Sequence, residues 1–596
     1  MADKFQAILR EYWGYPDFRG IQRNIIESIA SGRDTLGLMP TGGGKSITFQ
    51  VPALAQKGVC IVITPLIALM KDQVFHLRER GILADAIYAD KSRNEILQIL
   101  DNCIFGGVKI LYVSPERLAS ELFQTKLKHI NVSFITVDEA HCISQWGYDF
   151  RPSYLQIAEI RKLKPGVPIL ALTATATPEV VDDIQERLQF EQKNVFKMSF
   201  ERKNLAYVVR TSNDKPAEMV HILKSVGGSA IVYARSRKRT KEMSELLSQQ
   251  GISATFYHAG LAPDVKDERQ KAWQADEVRV MCATNAFGMG IDKPDVRMVI
   301  HIDSPDSLEA YFQEAGRAGR DGKKSYAVLL FDRNDEMKLL RRVDDTFPPK
   351  ELIQDIYEHL AYFYQIGVGS GMGKTFEFDI EKFCVTYKYF PTKVDAALRI
   401  LERSGYLHYE DNPDGKARLM FLLGRNDLYQ LDQLSPSQDA VITALLRCYG
   451  SLFVDLTFID ENLIARQAEL TIQQVYFALK NLAARHIIKF IPRRKIPFVT
   501  YTRDRVDGDK VMIPREVWES RREQYVKRIN SMLQYAKNDK MCRSRQLLAY
   551  FGEENESDCG QCDVCLEKKT EEKEAEFQKK LAEKKINIEN LNTSEN

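Results

Sequence analysis

Over the first 335 positions, apolar residues come in short runs, each followed by a Gly-, Pro- or acid-marked break and a longer stretch with helical spacing. Residues 35–39, 59–64, 109–114, 134–137 and 169–172 are such runs. Runs this short and continuous predict strands buried on both faces. Alternation with helices predicts a parallel α/β sheet, which gathers its ligands at the carboxyl ends of the strands. A second set begins near Asn204, with runs at 230–233, 255–257, 278–283 and 298–302. The prediction is two parallel-sheet lobes in series.

Beyond residue 345 the rhythm changes. Val394, Ala397, Leu398 and Leu401 share their helical spacing with Val475, Ala478, Leu479 and Leu482. Leu407 and Tyr409 then correspond to Ile488 and Phe490 at period two, so a strand follows each helix. Each copy reads as helices followed by a hairpin, one over 407–422 around Asn412–Gly415, the other over 487–502 around Pro492–Lys495. That order predicts two consecutive winged-helix-like α+β units, with a helical interaction domain carrying hairpins as the alternative. Gly371–Thr375 imitates a phosphate loop but precedes a strand-like alternation, so it is read as a plain loop.

With 596 residues the chain exceeds a single core. The expected division is 1–203 and 204–345 for the lobes, 346–432 and 433–510 for the winged-helix-like units, 511–566 for a helical metal module, and 567–596 for a Lys/Glu-rich solvated helix fraying into disorder. Net charge is only +2, so nucleic-acid binding would rest on local basic patches. No apolar run approaches the ~20 residues of a membrane span, and the N-terminus does not read as a secretion signal. A cytoplasmic, nucleoid-associated protein is expected. Four of the ten cysteines, Cys542, Cys559, Cys562 and Cys565, crowd together. In a cytosolic chain such spacing argues for metal over disulfides, as tetrahedral Zn²⁺ or an iron–sulfur cluster.

Chemistry collects at the predicted strand ends. Thr41-Gly42-Gly43-Gly44-Lys45-Ser46 follows the first strand and opens a helix. Glycines there let backbone N–H groups curl around phosphates, Lys45 reaches the β and γ phosphates, and Ser46 ligates Mg²⁺. The usual first glycine of this pattern is Met39 here. Asp138 and Glu139 close another buried strand, one suited to hold Mg²⁺, the other to polarise an attacking water. Tyr15 and Gln22, upstream of the loop, are suited to stacking on adenine and bonding its edge. Residues 144–151 hold Trp146, Phe150 and Arg151 in a Gly- and Pro-interrupted segment, suited to stack bases and hold phosphate, or else a packed Ω-loop. Arg317 and Arg320 lie one helical turn apart in the second lobe, where one would act as an arginine finger. In the second wing, Arg493, Arg494 and Lys495 favour phosphate contact, whereas the first wing is acidic.

Together Phe18-Arg19…Gln22, the Gly42–Ser46 loop, Asp138-Glu139-Ala140-His141 and Ser144-Gln145-Trp146-Gly147 closely resemble the RecQ helicases of superfamily 2, over roughly residues 5–335 and again in the cysteine segment. The resemblance implies ATP-driven 3′→5′ translocation on single-stranded DNA and separation of strands at forks, in repair and recombination. It implies that Tyr15, Arg19 and Gln22 contact adenine, that Trp146, Phe150 and Arg151 couple DNA to hydrolysis, and that the cysteines hold Zn²⁺ rather than iron. Gln313 joins the catalytic candidates, and Gly288 and Asp292 the nucleotide-facing ones. Single-strand-binding or repair proteins are the expected class of partner. The chain departs from the family in the middle: some 170 residues precede the cysteines where the zinc module should follow the lobes directly. No further folded module is expected after Cys565. Two other activities fit the motifs, a duplex translocase that does not unwind and a winged-helix regulator switched by ATP. Backbone phosphates alone do not separate DNA from RNA.

Overall fold

The computed structural model describes residues 3–593 except 89, 90, 92, 145, 146, 148, 289–292, 411–416, 425, 426, 431–433, 450, 451, 454–456 and 493–496. The chain forms two compact bodies, one from residues 1–87, 102–339 and 527–596, the other from 88–101 and 340–526.

The first body holds two all-parallel sheets. The N-terminal sheet comprises β1 (Thr35–Leu38), β2 (Val59–Ile63), β3 (Ala84–Ile87), β4 (Ile110–Val113), β5 (Val132–Val137), β6 (Ile169–Thr173) and β7 (Val195–Lys197), in the order β3-β4-β2-β5-β6-β1-β7. β1, β2, β4 and β6 are buried along their whole length, as expected for strands covered on both faces. The second sheet comprises β8 (Leu205–Thr211), β9 (Ser229–Tyr233), β10 (Ala254–Tyr257), β11 (Val280–Ala283), β12 (Val296–His301) and β13 (Ser325–Phe331), in the order β10-β11-β9-β12-β13-β8. Met219, Leu247, Val232, Cys282 and Ile300 centre its core. These are the two expected lobes. The strands the hydrophobic pattern missed include β3, β7 and β8, all at sheet edges, where a strand needs less apolar sequence.

The second body corrects the expected hairpins. Its strands are β14 (Thr375–Glu377), β15 (Leu407–Glu410), β16 (Arg418–Phe421), β17 (Thr457–Phe458), β18 (Ile488–Ile491) and β19 (Phe498–Tyr501). β15 does not pair with β16, nor β18 with β19. Instead β19 lies antiparallel between β14 and β15, with Leu407 opposite Tyr501, and β16 lies antiparallel between β17 and β18, with Phe421 opposite Ile488. Each winged-helix unit has its own three helices but takes its central strand from the other half of the repeat. The cause is visible in the repeat: Leu419 and Phe421 alternate as Val499 and Tyr501 do, and all four are buried. Either strand suits either sheet, and turn propensity alone does not choose.

One core therefore draws on residues 353–409 and 499–513, with Tyr357, Leu398 and Tyr501 at its centre. The other draws only on residues 417–488, with Leu419, Leu445 and Leu479. The expected boundary at 432/433 is replaced by nesting, one winged helix inserted in the wing of another. Gly371–Lys374 is a turn leading into β14, as read.

Nesting predicts that the insert is removable. Glu410 pairs directly with Phe498, the spacing a two-residue hairpin closes. Replacing residues 411–497 by Asn-Gly is expected to leave a soluble protein with full zinc content and a cooperative thermal transition. Loss of that transition would refute the nested reading.

Candidate active site and zinc centre

The glycine loop between β1 and the helix Lys45–Ala55 is shaped by its glycines. Gly42 (φ 82°) and Gly44 (φ 77°) adopt left-handed backbone that a side chain disfavours. A Cβ on Gly44 would also collide with the Gln22 amide. That amide donates to the carbonyls of Gly43 (3.3 Å) and Gly44 (3.1 Å) and accepts from Arg19 N–H (2.8 Å). Gln22 is thus a strut under the loop in this conformation. Tyr15, 45% exposed, is stacked by Arg19 at 5.5 Å.

Lys45 Nζ lies 3.6 Å from Glu139 Oε1. Glu139, just past β5, is held at φ 48°, ψ 46°, strained for a residue with a Cβ. Its amide donates to Asp138 Oδ1 (3.0 Å), and Tyr154 O–H donates to the Asp138 carbonyl (3.0 Å). Burial pushes the Asp138 carboxyl up, to about 6, against the pull of Lys45. Burial acts upward on Glu139 as well, but Lys45, His141 and Arg317 outweigh it and hold that carboxyl below its ordinary range. Glu139 therefore stays ionised at neutral pH, as a general base requires. Ser46 and Asp138 offer oxygen donors, the set a hard divalent cation such as Mg²⁺ takes.

Sequence reasoning passed over His141 and Thr173 as site residues. His141 Nδ1 lies 3.4 Å from Glu139 Oε2 and 2.9 Å from Thr173 Oγ1, so the end of β6 is wired to Glu139. Burial lowers the His141 pKa, against the pull of the Glu139 carboxylate. Their signal was available: Thr173 ends β6, and His141 lies in the short turn that follows Asp138 and Glu139. The aromatic segment is anchored to the same place: Arg151 N–H donates to the Cys142 carbonyl (2.9 Å), and Gly147 N–H to the Ser144 carbonyl (3.0 Å). Phe150 is half-buried, and Arg151 pairs with Asp149 at 3.1 Å.

The second lobe reaches the loop through Gly316–Arg320. A Cβ on Gly42 would sit 3.5 Å from Arg320 Cγ, and one on Gly316 would sit 3.8 Å from Thr41 Cβ. Arg317 is 5% exposed and donates to the Gly288 carbonyl; a Cβ on Gly288 would strike its guanidinium at 2.5 Å. Gly288 thus makes room for Arg317. Gln313 sits half-buried on the helix Leu308–Ala315 that leads into this loop. Lys45, Asp138, Glu139, Thr41, Gly42, Arg317 and Arg320 converge. Trp146, Asp292, Arg493, Arg494 and Lys495 lie outside the described residues.

The Sγ atoms of Cys542, Cys559, Cys562 and Cys565 all fall within 4.8 Å of one another. Two of the separations, Cys559–Cys565 and Cys542–Cys562, are 4.0 Å. Tetrahedral Zn²⁺ with bonds of about 2.3 Å needs sulfurs about 3.8 Å apart, so the four fit zinc. Cys559 N–H points at Cys542 Sγ (3.2 Å) and Cys565 N–H at Cys562 Sγ (3.4 Å), contacts that favour thiolates.

Two parallel-sheet lobes, a glycine loop of phosphate-binding type in the first and paired arginines from the second define a two-lobed P-loop architecture. Family models match in chain order: DEAD/DEAH box helicase (residues 19–184), helicase conserved C-terminal domain (214–322), RecQ helicase winged-helix domain, Bacteroidota (419–492), and RecQ zinc-binding (503–566). The four matches together follow the RecQ pattern, and two of the models are specific to RecQ proteins. It is 46% identical over 340 residues to the ATP-dependent DNA helicase RecQ of Bacillus subtilis, covering 56% of this chain and 58% of that one. It is 43% identical over 330 residues to the RecQ of Pasteurella multocida (55% and 52%), and 41% over 332 residues to the probable ATP-dependent DNA helicase RecS of B. subtilis (55% and 66%). The chain thus spans little more than half the length of both RecQ relatives. The winged-helix match covers the nested unit almost to its ends.

Proposed function

We propose that the protein is an ATP-dependent DNA helicase that moves 3′→5′ on single-stranded DNA and separates duplex strands in repair and recombination. The observation that carries this reading is the composite site: Lys45 and Glu139 of one lobe face Arg317 and Arg320 of the other across the glycine loop.

In this reading the loop amides and Lys45 hold the phosphates of ATP, and Glu139 draws the proton from the attacking water. Arg320, against the loop, neutralises charge developing on the γ-phosphate, while Arg317, tied to Gly288, keeps the arginine loop in place. Ser46 and Asp138 hold Mg²⁺, which would supply charge neutralisation at the phosphates. Tyr15 and Arg19 flank the adenine. Gln22, now bonded to the loop, senses nucleotide when the loop rearranges. No helix among the described residues is long and apolar enough to cross a membrane. Cytoplasmic, nucleoid-associated action on forked DNA follows as part of the proposal.

The test is ATP turnover with and without single-stranded DNA, beside unwinding of 3′-tailed, 5′-tailed and blunt duplexes. Unwinding confined to 3′ tails is the expected result. DNA-stimulated turnover without strand separation would favour a duplex translocase, and turnover indifferent to DNA a switched regulator. Trp146→Ala probes the coupling segment. A stacked base is worth about 1–3 kcal/mol, enough to shift a loop between two arrangements. DNA stimulation is expected to fall at least tenfold, with the melting temperature kept. A lowered melting temperature with stimulation intact would make the segment a packed Ω-loop instead.

A further inference from the structure

The lobes are joined by residues 198–204, between β7 and β8. On one side this linker is gripped by the zinc module. Ser199 O–H and Phe200 N–H both donate to the Glu553 carboxylate, the latter at 2.9 Å. Lys197 Nζ donates to the Phe551 and Gly552 carbonyls, both at 3.1 Å, and the Gln561 amide donates to the Lys203 carbonyl at 2.8 Å. On its other side the linker grips the arginine loop. Arg202 donates to the carbonyls of Gly316 (3.2 Å), Ala318 (2.8 Å) and Gly319 (3.1 Å), and Asn204 donates to Gly319 (2.7 Å). Two of these three carbonyls, those of Gly316 and Gly319, belong to the peptide units that lead directly into Arg317 and Arg320.

A second connection bypasses the linker. Tyr550 O–H donates to Glu309 Oε1 at 2.9 Å, and Glu309, 4% exposed, lies on the helix that runs into the arginine loop. One turn along that helix, Phe312 packs on Phe551 at 5.0 Å, and Phe200 of the linker meets both rings at 6.0 and 5.4 Å. All three phenylalanines are buried. A closely packed cluster of this kind transmits a displacement rather than absorbing it.

We propose that the zinc module sets the position of the arginine loop, and hence the hydrolysis rate, with Glu553, Arg202 and Tyr550 as positioning residues. None of them touches the glycine loop or the carboxylates. Their action runs from the module to the linker and the Leu308–Ala315 helix, and from there to the backbone that carries both arginines. The inference rests on the reading of the site as an ATPase whose second lobe supplies an arginine finger.

The test uses the full chain with zinc content, melting temperature, kcat and KM for ATP, and single-stranded DNA affinity measured on each variant. Glu553→Ala and Arg202→Ala are expected to keep one zinc and to lower DNA-stimulated kcat at least tenfold, with KM and DNA affinity changed less than threefold. Glu553→Gln, which keeps an acceptor, is expected to recover most of the rate. In an Arg320→Ala background, Glu553→Ala is expected to cost little more, because both act on one step; effects that multiply would overturn the proposal. Should Glu553→Ala lose zinc, Tyr550→Phe decides, since it removes one oxygen and keeps the ring. There a kcat lowered at least threefold with zinc retained supports the coupling, and an unchanged kcat overturns it. If the wild-type chain itself shows no DNA-stimulated turnover, the ATPase reading fails; an active wild type with indifferent variants sinks only this inference.

Discussion

Glu139→Gln is expected to bind ATP as the parent does and to hydrolyse it about 10²–10⁴-fold more slowly, the range a positioned general base contributes. The substitution keeps shape and hydrogen-bonding reach while removing the negative charge that Lys45, His141 and Arg317 stabilise. Lys45 lies 3.6 Å from the lost charge and remains free to meet phosphate, so affinity is expected to hold or rise. Lys45→Ala behaves differently: it removes the cation that meets the phosphates, so affinity and rate fall together. Single-turnover hydrolysis beside equilibrium binding of a fluorescent ATP analogue separates the two patterns. A Glu139→Gln protein turning over at the parental rate would move the base elsewhere.

The second large effect belongs to the cysteines. Cys562→Ser is expected to abolish zinc binding and to unfold the module, because zinc binding at such sites is folding free energy, about 10–16 kcal/mol in small zinc-finger peptides. Cys562 and Cys542 are fully buried, and among the described residues the local apolar cluster consists of the four cysteines and Val564. Within that cluster only Val564 would remain to hold the cysteines together once the metal is gone. Metal analysis of the natively purified protein is expected to give one zinc per chain, and thermal unfolding of the variant a lower or split transition. Iron in place of zinc, or four free thiols with an unchanged melting curve, would refute the assignment.

The features legible in the sequence are those carried by consecutive residues. The loop from Thr41 to Ser46 needs its glycines because φ is positive at Gly42 and Gly44, and that requirement is written in the residue type. Asp138 and Glu139 announce themselves because Phe134, Ile135 and Val137 before them lie in a buried strand, and a carboxylate at its end must have a use. The cysteines declare a metal by spacing alone. Two roles shifted when the residues were seen in place. Gly288 serves as space for Arg317, and Gln22, expected to bond the adenine edge, here props the glycine loop.

What stayed hidden was the choice among equally good partners. The sequence alone determined that two helix-and-strand repeats follow the lobes, that each strand alternates, and which residues of each face inward. It does not determine that β19 completes the first sheet and β16 the second, because the two strands carry the same alternation and bury their inward residues equally. Only the register of strands far apart in the chain decides that, and it is settled by which whole core packs best. Arg202 and Glu553 were hidden for a related reason. A charged residue in a linker or at a helix end reads as solvated, and nothing local says that its partners are backbone groups more than a hundred residues away. Local chemistry is written in neighbouring residues, while the wiring between sites exists only once the chain has folded and distant backbone has been brought within hydrogen-bonding reach.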